Sequence, residues 1–307
     1  MRMGGRITKH ANVPEESVRE GKVKVTGGQV WYRMVGASRK KIPLLVLNGG
    51  PGVPHDYLEP LEALADERPV VFFDPLGCGD SDKPKKKSLW TLERFADEIT
   101  QVRNTLGLKK VHILGHSYGT TLGLEYMLEV KPRGVASLIL SSPILSVRLF
   151  LSDAKRNISR MPKCERRLLQ ESMGAGRFIN KKAKKAYEIY WQRHLCGLDR
   201  LPDYAKRAFK KAGGQVYKHM WGDEEIFVTG TLKNFERESR LREIRVPVLF
   251  TAGQHDECSP RTTAHFKNLI PGSEIAILRN TRHLHVFEKP EEYVRIVRAF
   301  LNRVESR

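Results

Sequence analysis

Past residue 20 the chain shows two textures of apolar and polar positions. "GKVKVTGGQVWYRMVG" (21–36) holds two short stretches alternating about Gly27 and Gly28, which predicts an antiparallel hairpin with one covered face. Unbroken apolar runs follow: "IPLLVLNGG" (42–50), "PVVFFDPLG" (69–77), "KVHILGHS" (110–117) and "VASLILSSP" (135–143). Between them lie segments such as "TLERFADEITQVRNTLG" (91–107), whose apolar residues recur at helical spacing. A strand that is apolar throughout is covered on both faces, so alternation with amphipathic helices predicts a mostly parallel sheet between helical layers, an α/β class.

The alternation stops after Pro143. From there to Gly222 only helix-like segments occur, and then "VPVLFTAGQHD" (246–256) and "SEIAILRNTRH" (273–283) resume the texture of buried strands. The economical division is an α/β core in two parts, 1–142 and 223–307, interrupted by a helical cap, 143–222. "EKPEEYVRIVRAFLNRVESR" closes the chain as an amphipathic helix, with Pro290 near its start and Tyr293, Ile296, Val297 and Phe300 on one side.

Composition narrows the class. With 40% hydrophobic and 29% charged residues, the 307-residue chain is neither disordered nor membranous in type. No apolar run approaches the roughly 18 residues of a spanning helix, so no membrane partner is expected. The N-terminal "MRMGGRITKHANVPEES" lacks the apolar stretch of a secretory signal, which points to the cytoplasm. Cys78, Cys164, Cys196 and Cys258 are scattered without ligand spacing, so neither disulfides nor a metal is expected. The net charge is +19, and residues 143–222 hold nineteen Lys and Arg against six Asp and Glu. Because runs such as "KKAKKAYEIYWQRHL" interleave apolar residues at helical spacing and carry no nucleic-acid signature, the charge reads as solvated helix faces rather than a nucleic-acid surface.

In open parallel sheets, ligands gather at the carboxyl ends of the strands. There "GHSYG" (115–119) has the G-x-S-x-G form that presents a serine on a tight strand-to-helix turn, making Ser117 a candidate nucleophile. A serine hydroxyl requires a base, and the base an orienting carboxylate, in the chain order Ser, Asp or Glu, His. Asp256 and His283 each follow a late strand run, as that order demands. Glu257 adjoins Asp256 and His285 follows two residues after His283, and periodicity does not choose within either pair. "LNGGPG" (47–52) can bring a backbone N–H near Gly50 toward a carbonyl oxygen, with the N–H of Tyr118 as second oxyanion donor. A neutral histidine base predicts an acid limb of activity near or below the ordinary value of about 6.5.

Together "NGGPG", "FFDPLGCGDSD", "GHSYGT", "MWGDEEIFVTGTLKNF", "TAGQHDECSP" and "RHLHVFEKPEEY" resemble the proline iminopeptidases (prolyl aminopeptidases), including the tricorn-interacting aminopeptidase type of archaea. Within the insertion, "YWQRHLCGLDRLPD" is similar to a cap segment of that family. The resemblance covers nearly the whole chain. It implies an α/β-hydrolase fold with an inserted all-helical cap, no cofactor, and release of N-terminal residues, often proline, from small peptides. It also implies Ser117 as nucleophile, Asp256 as orienting acid and His283 as base. Glu225 and Glu257 then hold the substrate's free amine, with Tyr217 nearby. Two positions depart from the family pattern: Asn48 stands where histidine is usual, and Thr120 where a glycine commonly follows the elbow.

The reading reached is a serine aminopeptidase acting through an acyl-enzyme. An amino-acid amidase or small-ester hydrolase with the same triad is the near alternative. A non-catalytic hydrolase-fold binding protein and a nucleic-acid binder are more remote ones.

Overall fold

The computed structural model describes residues 17–307, so the reading of the extreme N-terminus, residues 1–16, lies outside the described residues. The hairpin forms where the alternation places it. Strands β1 (Val18–Val25) and β2 (Gly28–Val35) pair antiparallel, burying Val23, Val25 and Val30 while Lys22, Lys24 and Gln29 stay exposed.

Six further strands, β3 (Leu44–Leu47), β4 (Val70–Phe73), β5 (Val111–His116), β6 (Val135–Ser141), β7 (Val248–Gly253) and β8 (Glu274–Leu278), complete an eight-stranded sheet. Its order is β1-β2-β4-β3-β5-β6-β7-β8, with β2 antiparallel to β4 and parallel pairing from β4 through β8. Strands β3, β4, β5 and β7 are buried at every position, which is why their sequences are continuously apolar. β8 departs from the expectation of a buried strand. Among the described residues it is an edge strand with a neighbour on one side only, and Ile275 and Ile277 remain 36% exposed.

Helices cover both faces. α1 (Leu92–Thr105) begins where the Thr91 hydroxyl accepts the Arg94 N–H, and buries Phe95, Ile99 and Val102 against Leu45, Leu47 and Ile113. α2 (Tyr118–Glu125) follows β5 directly. Between β6 and β7 come α3 (Val147–Ser159), α4 (Lys163–Ala175), α5 (Lys181–His194), α6 (Asp203–Lys210) and α7 (Gly214–Met220). Ala154, Ile158, Leu169, Tyr187, Tyr190 and Phe227 form a separate apolar cluster in this region, while Lys181, Lys182, Lys184 and Lys185 are exposed. After β7, α8 (Pro260–Leu269) is capped by Ser259. The short α9 (His285–Glu288) leads to α10 (Pro290–Glu305), which packs Tyr293, Val297 and Phe300 on the opposite sheet face with Leu44, Val46 and Leu114. Successive β3 residues thus feed two cores, as the two-residue period of a strand requires. Among the described residues no helix is long and apolar enough to cross a membrane.

Candidate active site

Ser117 is the joint between β5 and α2. Its backbone adopts φ 54° and ψ −123°, a conformation that costs a non-glycine residue about 1–3 kcal/mol and persists only where the surroundings enforce it. Here they do. The Ser117 N–H donates to the Ser141 carbonyl at 2.9 Å, and the Ser117 carbonyl accepts from the Thr120 N–H at 2.8 Å and the Thr120 hydroxyl at 2.6 Å. Thr120 in turn receives the Ile144 N–H at 2.9 Å, so the threonine ties the elbow to the neighbouring strand end. Close approach explains the two glycines: a Cβ on Gly115 would lie 2.2 Å from the Gly119 carbonyl oxygen, and one on Gly119 2.2 Å from that of Leu47.

The loop after β8 brings His283 to the same cavity as Ser117. Two bonds from the end of α5 hold that loop: His283 N–H to the His194 carbonyl at 3.0 Å and Leu284 N–H to the Leu195 carbonyl at 2.9 Å. His283 Nδ1 sits 2.9 Å from Asp256 Oδ1. Glu257 Oε1 is 3.9 Å from the same nitrogen, and His285 turns away, its Nε2 lying 3.0 Å from Ser141 Oγ and 3.3 Å from Thr251 Oγ1. Geometry therefore separates the members of both pairs that periodicity left open. Of the other histidines near the site, His116 is buried beside His283, whereas the exposed His255 meets His194 Nδ1 through its carbonyl.

Asp256 also accepts from the Cys258 N–H at 2.9 Å, the Ser142 hydroxyl at 2.6 Å and the Gly253 N–H at 3.2 Å. Burial works against its charge, but the adjoining His283 and these donors hold its carboxyl below the usual range. For His283, burial likewise opposes protonation and is outweighed by the charge and hydrogen bond of Asp256, so its pKa is raised. That corrects the expectation of an ordinary or depressed base.

Opposite the elbow, Gly50 lines the cavity, and among the described residues neither its N–H nor that of Tyr118 is engaged in a hydrogen bond. Asn48 fastens this loop to the sheet by donating from Nδ2 to the Phe73 carbonyl at 3.1 Å.

The cavity measures about 460 Å³. Tyr187 and Trp191 of α5, Leu195, Phe209 of α6, Tyr217 of α7 and Glu225 line it on the side of the inserted helices. The Tyr217 hydroxyl donates to Glu225 Oε2 at 2.6 Å. Although Glu225 keeps some exposure, dense surroundings raise its carboxyl above the ordinary value, against the pull of His283 and Tyr217. Glu257 is fully buried, and burial reinforced by the charges of Glu225 and Asp256 pushes it well up. The Tyr190 hydroxyl lies near enough to favour the charged form, yet neither its oxygen nor those of Glu257 complete a hydrogen bond of normal geometry. Glu257 is thus a buried carboxyl group without a completed hydrogen bond among the described residues, and it lies behind the lining of the cavity rather than on it.

Asp256, Cys258 and His283 offer ligand atoms within 4.8 Å of one another. The Asp256–His283 hydrogen bond uses two of them, and burial keeps the Cys258 thiol protonated, so the donor set suits a proton better than a metal.

Sequence patterns did not single out Tyr57, Ser142, Trp191 or Phe209. Ser142 ends an apolar run, so its strand-end position was a usable signal; the others carry none.

The chain matches the model of the alpha/beta hydrolase fold over residues 42–290. It is 39% identical over 288 residues to a proline iminopeptidase of Heyndrickxia coagulans, covering 93% of this chain and 99% of the relative. The chain belongs to the proline iminopeptidase family. A second relative, from Clostridioides difficile, is 34% identical over 93% of this chain and 98% of its own length. Among solved structures, the proline iminopeptidase of Mycobacterium smegmatis superposes with a TM-score of 0.86 at 31% identity, covering 93% of this chain and 98% of that one. In this family member, Ser117, His283 and Glu225 line one cavity, and Asp256 is joined to it only through His283.

Proposed function

We propose that the protein is a serine aminopeptidase that releases the N-terminal residue, proline preferred, from short peptides. The observation that carries this reading is that Ser117, His283 and the carboxylate of Glu225 line one cavity of about 460 Å³. A free α-amino group held at Glu225 and Glu257, with Tyr217 steadying Glu225, leaves room for one residue before the nucleophile.

His283 takes the Ser117 proton on Nε2, the nitrogen that Asp256 does not engage, and Ser117 Oγ attacks the first peptide carbonyl. The N–H groups of Gly50 and Tyr118 receive the oxyanion, aided by the N-terminus of α2. His283 then protonates the leaving amine, and water repeats the sequence on the acyl-enzyme. Asp256 keeps the imidazole in the required tautomer. The chemistry needs no cofactor or metal. Tyr187, Trp191, Leu195 and Phe209 give the first residue an apolar, aromatic-rich surround that suits a pyrrolidine ring. In this reading residues 143–222 are a helical cap that walls the substrate site, its basic faces are solvated rather than a nucleic-acid surface, and the enzyme is cytoplasmic.

The test compares proline anilide, its N-acetylated form and alanine anilide, with Ser117→Ala as blank. Turnover of the free-amine substrates alone supports the aminopeptidase. Equal cleavage of the acetylated substrate replaces it with a general amidase or esterase.

A further inference from the structure

The residue preceding the nucleophile, His116, is 1% exposed and has both ring nitrogens engaged. Nε2 lies 3.0 Å from the His283 carbonyl oxygen. A carbonyl only accepts, so Nε2 carries a proton. Nδ1 lies 3.0 Å from the Tyr57 hydroxyl. In the neutral ring Nδ1 accepts, so Tyr57 donates to it, and the Tyr57 oxygen is left to accept the Gly49 N–H at 2.8 Å. The direction of every bond is thereby determined: Gly49 N–H to Tyr57, Tyr57 O–H to His116, His116 N–H to the backbone of His283. Burial, with His283 and His285 adding to it, holds the His116 pKa well below the ordinary value, in keeping with a neutral ring.

The two ends of this chain are what catalysis must keep in register. Gly49 precedes Gly50, whose N–H is the oxyanion donor assigned above, and the Gly49 Cα region abuts Ser117 Cβ. The far end is the main chain of the base. Ser142 Oγ also approaches the His283 carbonyl at 3.0 Å, but its single proton is taken at the shorter distance by Asp256 Oδ2, 2.6 Å away. His116 thus commits its Nε2 proton to that carbonyl. The aromatic edges add stiffness, with ring centroids 5.4 Å apart for Tyr57–His116 and 5.1 Å for His116–His283.

We propose that His116 and Tyr57 are positioning residues that form a neutral hydrogen-bonded strut between the oxyanion loop and the general base, so that the two halves of the catalytic apparatus keep one spacing. Neither touches the reacting atoms. This inference rests on the roles assigned to Gly50 and His283 above. It applies to any acyl transfer at Ser117, so it is separable from the choice of substrate.

The test is a double-mutant cycle with Tyr57→Phe, His116→Leu and their combination, with His116→Gln as the conservative variant whose amide can still reach the His283 carbonyl. Kinetics are read on proline anilide and on 4-nitrophenyl acetate, so that a wild type inactive on the anilide overturns the substrate reading and leaves the strut testable on the ester. Each single variant is expected to lower kcat about tenfold or more on both substrates with a smaller change in KM, since loss of register misplaces the reacting groups whichever substrate is bound, although both side chains also line the cavity. The combination should be no slower than the worse single variant, and His116→Gln should recover part of the loss. A Tyr57→Phe enzyme with wild-type kcat, or losses that multiply in the combination, overturns the strut. If His116→Leu does not fold, the cycle is run with Tyr57→Phe and His116→Gln, and full additivity there counts against the proposal equally.

Discussion

Asp256 Oδ1 lies 2.9 Å from His283 Nδ1, while Glu257 Oε1, from the next residue along the chain, lies 3.9 Å from the same atom. The two adjacent side chains differ in their surroundings: Asp256 is saturated with donors, while among the described residues Glu257 has none of normal geometry.

Asp256→Asn should leave the fold intact and lower kcat by about 10³–10⁴, because the amide favours the wrong tautomer of His283. Glu257→Gln should instead lower kcat/KM for free-amine substrates by about thirtyfold or more, the cost of truncating a buried partner of a charge, while an ester without an amine is spared. Steady-state kinetics on both substrate types separates the two. Equal losses on both for Glu257→Gln would remove it from amine binding.

With His283 as the base proposed above, only the deprotonated ring accepts the Ser117 proton, so the charge and hydrogen bond of Asp256, which raise the His283 pKa above its ordinary value of about 6.5, displace the acid limb upward. The limb in kcat/KM should lie above that value, and Asp256→Asn, which removes the group that raises it, should move the pKa of His283 downward. A profile flat from pH 5 to 7 contradicts the assignment of the base.

Gly119→Ala places a Cβ 2.2 Å from the Leu47 carbonyl oxygen, a backbone atom that cannot swing aside. Destabilisation of about 1–3 kcal/mol is expected, with loss of activity as the elbow shifts. Gly174, exposed near the end of α4, meets nothing within 4 Å, so Gly174→Ala should instead stabilise by about 0.5–1 kcal/mol. Urea unfolding of both variants gives the contrast.

Trp191 and Phe209 should set the preference for the first residue. Phe209 is 42% exposed and lines the cavity. Removing either ring by substitution to Ala should lower the proline-to-alanine ratio in kcat/KM about tenfold, the scale on which apolar pockets discriminate. An unchanged ratio moves specificity to other walls.

Much of the core was legible because its determinants are local. Two-residue alternation marked the β1–β2 hairpin, unbroken apolar runs marked β3 to β7, and flanking glycines marked Ser117, whose crowded turn admits no Cβ at Gly115 or Gly119. β8 was misread as buried because a short run such as "EIAIL" does not record how many neighbours it has. The sequence by itself determined the α/β alternation, the glycine-flanked turn at Ser117 and the chain order Ser117, Asp256, His283. Only the tertiary structure decided which carboxylate meets His283, which aromatic residues wall the cavity, and that Ser142 bonds to Asp256 and His116 to the His283 carbonyl. Those contacts join residues 114 and 167 positions apart, Ser142 to Asp256 and His116 to His283, and sheet order rather than any periodicity brings such partners within hydrogen-bond reach.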